Sequence, residues 1–152
     1  MLSYPAKAIS GNETSDFQAV AQPFSTREIK MKLHLTQADG KQLITGYSQD
    51  WISINNLIYP QSLVVLPDEL LLDWVVSDFD NLIEANFECL LGYQPEVVLL
   101  GTGATHRFIR PYLIQTLTAA NIPVECMTTD AACRTYNILM AEGRKVAAAL
   151  IL

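Results

Sequence analysis

Gly101-Thr102-Gly103 is where ligand chemistry would most naturally sit in this sequence. The turn follows the apolar run Val97-Val98-Leu99-Leu100, so it stands at the end of a buried strand. Open α/β sheets bind ligands at such ends, and a glycine pair lets a phosphate come close to the backbone. A dinucleotide fingerprint needs a third glycine where His106 stands, and a helix that starts at the turn. The first helix signal after it is Pro111, too far along for the helix dipole to aim at the turn. Glu125 matches the spacing of a ribose-binding acid, one feature of three, and a sterically required turn is the stronger reading. His106, Arg107 and Arg110 form the one local cationic cluster. They would hold a carboxylate or phosphate, answer acidic side chains from the middle of the chain, or simply lie in a solvated loop.

A second group lies on the helix that begins near Thr129. Cys133 falls in its first turn, where partial positive charge favours thiolate, and His106 is the nearest base the sequence offers. Beside Ala131 and Ala132, a packing role is the plainer reading. Asp130 and Arg134, four apart, fit a surface ion pair. Arg134, Tyr136 and Asn137 bring hydrogen-bonding groups to the same helix, and Asn137 is expected to bond to a neighbouring loop, Gly101–Arg107 being one candidate. The result is either a polar latch or a binding pocket. Among these residues no catalytic constellation emerges, and nothing implies a cofactor.

The elements that position these groups follow from periodicity. Met31-Lys32-Leu33-His34-Leu35-Thr36 alternates as a strand does, Ala38-Asp39-Gly40 marks a turn, and Gln42–Ser48 reads as the next strand. Trp51–Ile54 and Leu57–Tyr59 flank Asn55-Asn56, a pair that tolerates the positive φ of a tight hairpin turn. Ser62–Leu66 and Leu71–Val76 read as further strands. From Asp78 the period becomes helical, with Phe79, Leu82, Ile83, Phe87, Leu90 and Leu91 on one stripe and Gly92 past its end. Then come a buried strand at Val97–Leu100, a helix from Pro111 to Asn121 and a strand at Ile122–Met127. A helix capped by Thr129 or Asp130 and stopped at Gly143 precedes a last strand at Val146–Leu152. The alternation predicts an α/β domain with a largely parallel, doubly covered sheet in its second half.

Composition narrows the function classes. The 152 residues are half apolar, 17% charged and carry a formal charge of −6, which fits one globular domain. Residues 1–30 show no sustained period and read as a weakly ordered tail before a single domain over 31–152, with Met31 an alternative start. Between Lys41 and Arg107 there is no Lys or Arg, while Asp50, Asp68, Glu69, Asp73, Asp78, Asp80, Glu84, Glu88 and Glu96 fall there. That one-sign stretch argues against nucleic acid and anionic membranes, and leaves a solvated face or a partner with a basic surface. Cys89, Cys126 and Cys133 form no paired framework and no zinc spacing, so reduced thiols in a cytoplasm are expected. No run is long enough to insert in a membrane, and the amino-terminal stretch reads as neither a secretory signal nor a mitochondrial transit peptide.

Leu99-Leu-Gly-Thr-Gly, Ile122-Pro-Val-Glu-Cys-Met-Thr-Thr-Asp-Ala-Ala-Cys-Arg-Thr-Tyr-Asn and Glu142-Gly-Arg-Lys-Val-Ala-Ala-Ala-Leu together resemble the Mth-like domain family of unknown function. Its eukaryotic relatives include a mitochondrial complex I assembly factor and an adipogenesis-associated Mth-domain protein. The resemblance implies a three-layer fold, with a central mixed, mostly parallel sheet between helices and a smaller antiparallel β layer from the first half. It places Gly101, Gly103, Arg134, Thr135, Asn137, Glu142 and Arg144 at signature positions without a proven catalytic role. The expected function is a non-catalytic protein-interaction or complex-assembly factor. The rival is a small-molecule or anion site, enzymatic or not, at Gly101–Arg107 and Cys133–Asn137.

Overall fold

The computed structural model describes residues 40–152. The tail over 1–30, the strand over Met31–Thr36 and the turn residues Ala38 and Asp39 lie outside them. Two sheets are built. The smaller is antiparallel, β1 (Ile44–Tyr47), β2 (Ile52–Ile54) and β3 (Leu57–Tyr59) in that order. Its hairpin turn is the expected one, with Asn55 at φ 50° and Asn56 at φ 69°.

The larger sheet holds β4 (Leu63–Val65), β5 (Leu70–Leu71), β6 (Val97–Gly101), β7 (Val124–Met127) and β8 (Val146–Leu150), ordered β5-β4-β8-β6-β7. β6 runs parallel to β7 and β8, and β4 runs antiparallel to β8 and β5. The sheet is therefore mixed, and its parallel half comes from the last third of the chain. Helices cover both faces, which is why β6 and β8 are buried at every position. Val98, Leu100, Ala147 and Ala149 face a core with Phe87, Leu90 and Leu117, on the side of α1 (Ala85–Glu88) and α2 (Gln115–Ala119). Leu99, Ala148 and Leu150 alternate to the other face, against α3 (Thr129–Ala141), whose Ala132, Cys133 and Tyr136 are fully buried.

The single helix expected from Asp78 to Gly92 is instead three short turns: 3₁₀ turns at Phe79–Asn81 and Leu91–Tyr93, with α1 between them. The Asp78 carboxylate accepts the Asn81 N–H, Leu82 then goes extended, and Asn86 Oδ1 accepts the Ile83 N–H at 2.8 Å. Side chains that compete for backbone groups break the helix that periodicity alone would continue. Leu82, Phe87 and Leu90 still reach the core, but Ile83 is left 57% exposed. Gly92 does not end this stretch; Gln94, at φ 49°, takes the left-handed position.

The strand expected over Leu71–Val76 ends at Leu71. Trp74 and Val76 are buried without joining the ladder, and the Trp74 indole donates to the Asn86 carbonyl at 2.8 Å. The helix signal at Pro111 opens a 3₁₀ turn, Pro111–Ile114, that leads into α2, and Asn121, at φ 62°, closes it.

Ala148 lies between β6, β4 and α3 with no exposed surface. Ala148→Leu should therefore lower unfolding stability by about 1–3 kcal/mol through overpacking, read as a fall in denaturant midpoint at unchanged slope.

Candidate functional site

The end of β6 is a closed seam. Gly101 needs no left-handed backbone; it needs the absence of a side chain. A Cβ there would stand 2.9 Å from Thr129 Cα and 3.2 Å from Leu150 Cδ2. The Gly103 N–H donates to Thr129 Oγ1 at 2.9 Å, the Thr129 N–H donates to the Gly103 carbonyl at 2.9 Å, and the Thr129 hydroxyl donates to the Ile151 carbonyl at 2.6 Å. Thr102 closes the loop on itself: its hydroxyl donates to the Thr105 carbonyl at 2.6 Å and accepts the Arg107 N–H at 3.2 Å. Gly103, at φ 96°, makes the turn. The N–H groups of Thr102 and Gly103, which a phosphate at this turn would need, are thus engaged within the protein. Thr129, missed as a fastener because it reads as a helix cap, is the hub of this seam. The cap of α3 is Thr128, whose Oγ1 accepts the Ala131 N–H.

The cationic cluster points elsewhere. Arg107 forms an ion pair with Asp80 at 2.6 Å and lies 4.5 Å from the centre of the Phe79 ring, so it answers the acidic mid-chain segment. His106 stacks on Phe108 with ring centres 4.6 Å apart.

The polar residues of α3 turn toward the small sheet. Asn137 Oδ1 accepts the Ile44 N–H at 3.0 Å and its Nδ2 donates to the Ile44 carbonyl at 2.7 Å. The Tyr136 hydroxyl donates to the Gln42 carbonyl at 2.7 Å. Arg134 donates to Tyr47 Oη at 2.9 Å, and that hydrogen bond raises its pKa further; the Asp130–Arg134 pair expected from spacing is not among the ion pairs of the described residues. The loop that Asn137 serves is therefore the β1 segment, not Gly101–Arg107. Cys133 is fully buried, and burial pushes its thiol up to about 12, with Asp130 adding to the rise. A neutral, inaccessible thiol is a packing group. Burial likewise raises the Tyr136 phenol.

Two hollows adjoin these elements. One of about 430 Å³ lies beside the seam, lined by Ser48, Asp50, Gly103, Thr129, Asp130 and Leu152 among others. Its ionisable side chains are the carboxylates of Asp50 and Asp130, which oppose an anion. The other, about 170 Å³, lies where Lys41, Tyr93, Arg144 and Lys145 meet, with Lys41 paired to Asp68 and Arg144 to Glu96. The Arg144 hydrogen bond holds the Glu96 carboxyl below its usual range. Among the described residues no group of His, Cys, Asp or Glu could hold a metal, and no helix is long and apolar enough to cross a membrane.

These features define a two-sheet α/β domain whose signature residues act as fasteners. A profile of the family described as Protein of unknown function (DUF498/DUF598) matches residues 44–151, and the chain belongs to that family. NADH dehydrogenase [ubiquinone] 1 alpha subcomplex assembly factor 3 of Drosophila melanogaster is 34% identical over 129 residues, 80% of this chain and 64% of the fly protein. The bovine protein of that name is 30% identical over 71% of this chain and 59% of its own length, so the chain spans about three fifths of these relatives. A crystal structure from Bordetella parapertussis is 34% identical with a TM-score of 0.70, covering 75% of this chain and 98% of that one. A Bordetella pertussis protein described as an Mth938-like domain shares the fold at 24% identity, with a TM-score of 0.64 over 88% of this chain and 92% of that one.

Asn137→Leu leaves the buried Ile44 N–H and carbonyl without partners and should lower stability by about 2–4 kcal/mol, whereas Tyr136→Phe should lower it by about 1 kcal/mol, both read in denaturant melts. The Cys133 thiol has an ordinary value of 9.0 when unfolded and about 12 when folded. The unfolded chain therefore loses its proton first, so this contribution is intact below pH 9 and fades as pH rises toward 12. The raised thiols of Cys89 and Cys126 act in the same direction. Stability measured from pH 8 upward should fall, by at most about 1.4 kcal/mol per pH unit for the buried Cys133, and Cys133→Ala should make the fall shallower.

Proposed function

We propose that this chain is a non-catalytic protein-interaction domain that serves the assembly of a larger complex. The observation that carries the reading is the use made of the polar groups on the Gly101 turn and α3. Thr102, Thr129, Tyr136 and Asn137 are bonded to backbone, and Cys133 is sealed in the core. Residues arranged in this way fix a shape, and a fixed shape presents a surface. Relatives named as assembly factors of NADH dehydrogenase support the same reading. The partner is proposed to be a protein with a basic surface, since the stretch from Lys41 to Arg107 carries carboxylates of one sign only. Free thiols at Cys89, Cys126 and Cys133 suit a reducing compartment such as the cytoplasm.

Tagged full-length chain should capture a small set of proteins from extracts of its native host at about 50 mM salt and release them near 0.5 M, where the Debye length shrinks to a few ångströms. Capture of nothing beyond a tag-only control, together with thermal stabilisation by a nucleotide, phosphate or carboxylate, would overturn the proposal. A true ligand at 100 times its dissociation constant should add about 2.7 kcal/mol of stability.

A further inference from the structure

The broken helical stretch leaves an unusual surface. Val75 is 85% exposed, Phe108 80%, and Ile83 and Tyr112 57% each. Three contacts tie together the segments that carry them. Trp74 donates to the Asn86 carbonyl, which sets Val75 beside α1. The Arg107–Asp80 ion pair, with the guanidinium over the Phe79 ring, draws the Phe108 loop onto the same segment. Gln115 donates to Glu84 at 3.1 Å, which brings the turn carrying Tyr112 alongside Ile83. An exposed apolar set of this kind marks an interaction site when polar groups rim it.

The rim decides the occupant. Asp80, paired with Arg107, and Glu84, bonded to Gln115, lie where the two segments meet, and Asp78 and Glu88 are carried on the same stretch, against Arg107 and Arg110. Arg107 is already spent on Asp80. The joined segments therefore carry exposed apolar side chains and a net negative charge. A second copy would bring carboxylates against carboxylates, and an anionic bilayer would be repelled. A segment with apolar side chains along one stripe and Lys or Arg on either side of it satisfies both parts.

We propose that the face built from residues 73–88 and 106–115 docks a cationic amphipathic helix of a partner protein. This rests on the protein-interaction reading and supplies the chemistry of the partner. Phe108 and Ile83 enter the apolar stripe of the helix, while Asp78, Glu84 and Glu88 meet its flanking cations. The Arg107–Asp80 pair holds the two halves of the face together.

An 18-residue Leu/Lys amphipathic peptide is the probe, titrated into full-length protein and followed by amide NMR shifts and fluorescence anisotropy. Shifts should concentrate in residues 73–88 and 106–115. Ile83→Ser with Phe108→Ala should weaken binding roughly tenfold or more at fixed salt, as expected when central anchors are lost. Asp78→Asn with Glu84→Gln and Glu88→Gln should flatten the salt dependence. Thermal melts of each variant separate a lost surface from a lost fold, since these side chains lie outside the core. Equal binding by a Leu/Glu peptide, or shifts centred on another surface, overturns the proposal. So does host-protein capture that is indifferent to Ile83→Ser with Phe108→Ala, and in that case the assembly reading survives without this face. Peptide binding at the face with no captured protein would instead count against the assembly reading.

Discussion

Asn137 joins three layers with one side chain. Its carboxamide presents an acceptor and a donor in the spacing of a peptide group, and both are taken by Ile44, whose N–H and carbonyl turn away from β2. The small sheet thus ends not at a bare edge but at α3, which is itself packed on β6 and β8. Ile44 is 2% exposed, so water is a poor substitute for this pair of bonds. Tyr136, one residue earlier, bonds to Gln42 on the same segment, and the two side chains fix both the distance and the rotation of the helix over β1. Such a joint explains why an amide, a poor helix former, occupies the middle of the longest helix described.

The other end of α3 is fixed by what is missing. Gly101 has no side chain, so the first residue of the helix comes within van der Waals distance of the strand end, and Thr129 can bridge Gly103 and Ile151. The Gly-Thr-Gly turn therefore has the sequence of a phosphate loop and the geometry of a weld. Its amides and hydroxyls converge inward on protein atoms. The same scarcity of bulk recurs on β8, where Ala147, Ala148 and Ala149 are fully buried and let helices approach both faces of a thin strand. Small residues, rather than reactive ones, set the close packing of the carboxyl-terminal third.

Much of this was legible from periodicity and turn chemistry. The Asn55-Asn56 hairpin, the buried run Val97–Leu100 and the helix stopped at Gly143 all stand where local rules put them. Legibility failed where side chains compete with backbone. Asp78 and Asn86 each capture an N–H, and a stripe with helical period became three turns. It failed also where partners are distant in sequence: nothing local to Asn137 or Arg134 names Ile44 or Tyr47 as partners more than eighty residues away. Spacing on one helix suggested Asp130 for Arg134, yet a tyrosine from another element won, because exposed i, i+4 pairs contribute only a few tenths of a kcal/mol. The candidate site divided for the same reason. Its residues cluster in the sequence on two elements that do touch, but the Gly101 seam uses the first residue of α3 while Arg134, Tyr136 and Asn137 turn from its middle toward β1.

The uneven charge of the chain then acquires a structural sense. Carboxylates between Lys41 and Arg107 would repel one another on a continuous helix, where neighbours three or four apart lie close. Breaking that helix at Leu82 spreads them over a longer path while Leu82, Phe87 and Leu90 still reach the core. Arg107, from across the sheet end, neutralises Asp80 and pins the spread segment in place. Ile83 is exposed as a consequence of this break, since the chain that turns out at Leu82 also turns its next apolar side chain to the surface. The side chains of Asp78 and Asn86, by capturing backbone N–H groups, thus both break the helix and leave Ile83 outside the core. The joint at Asn137 uses none of these apolar side chains, and the seam at Gly101 fixes the start of the loop that carries Arg107 and Phe108.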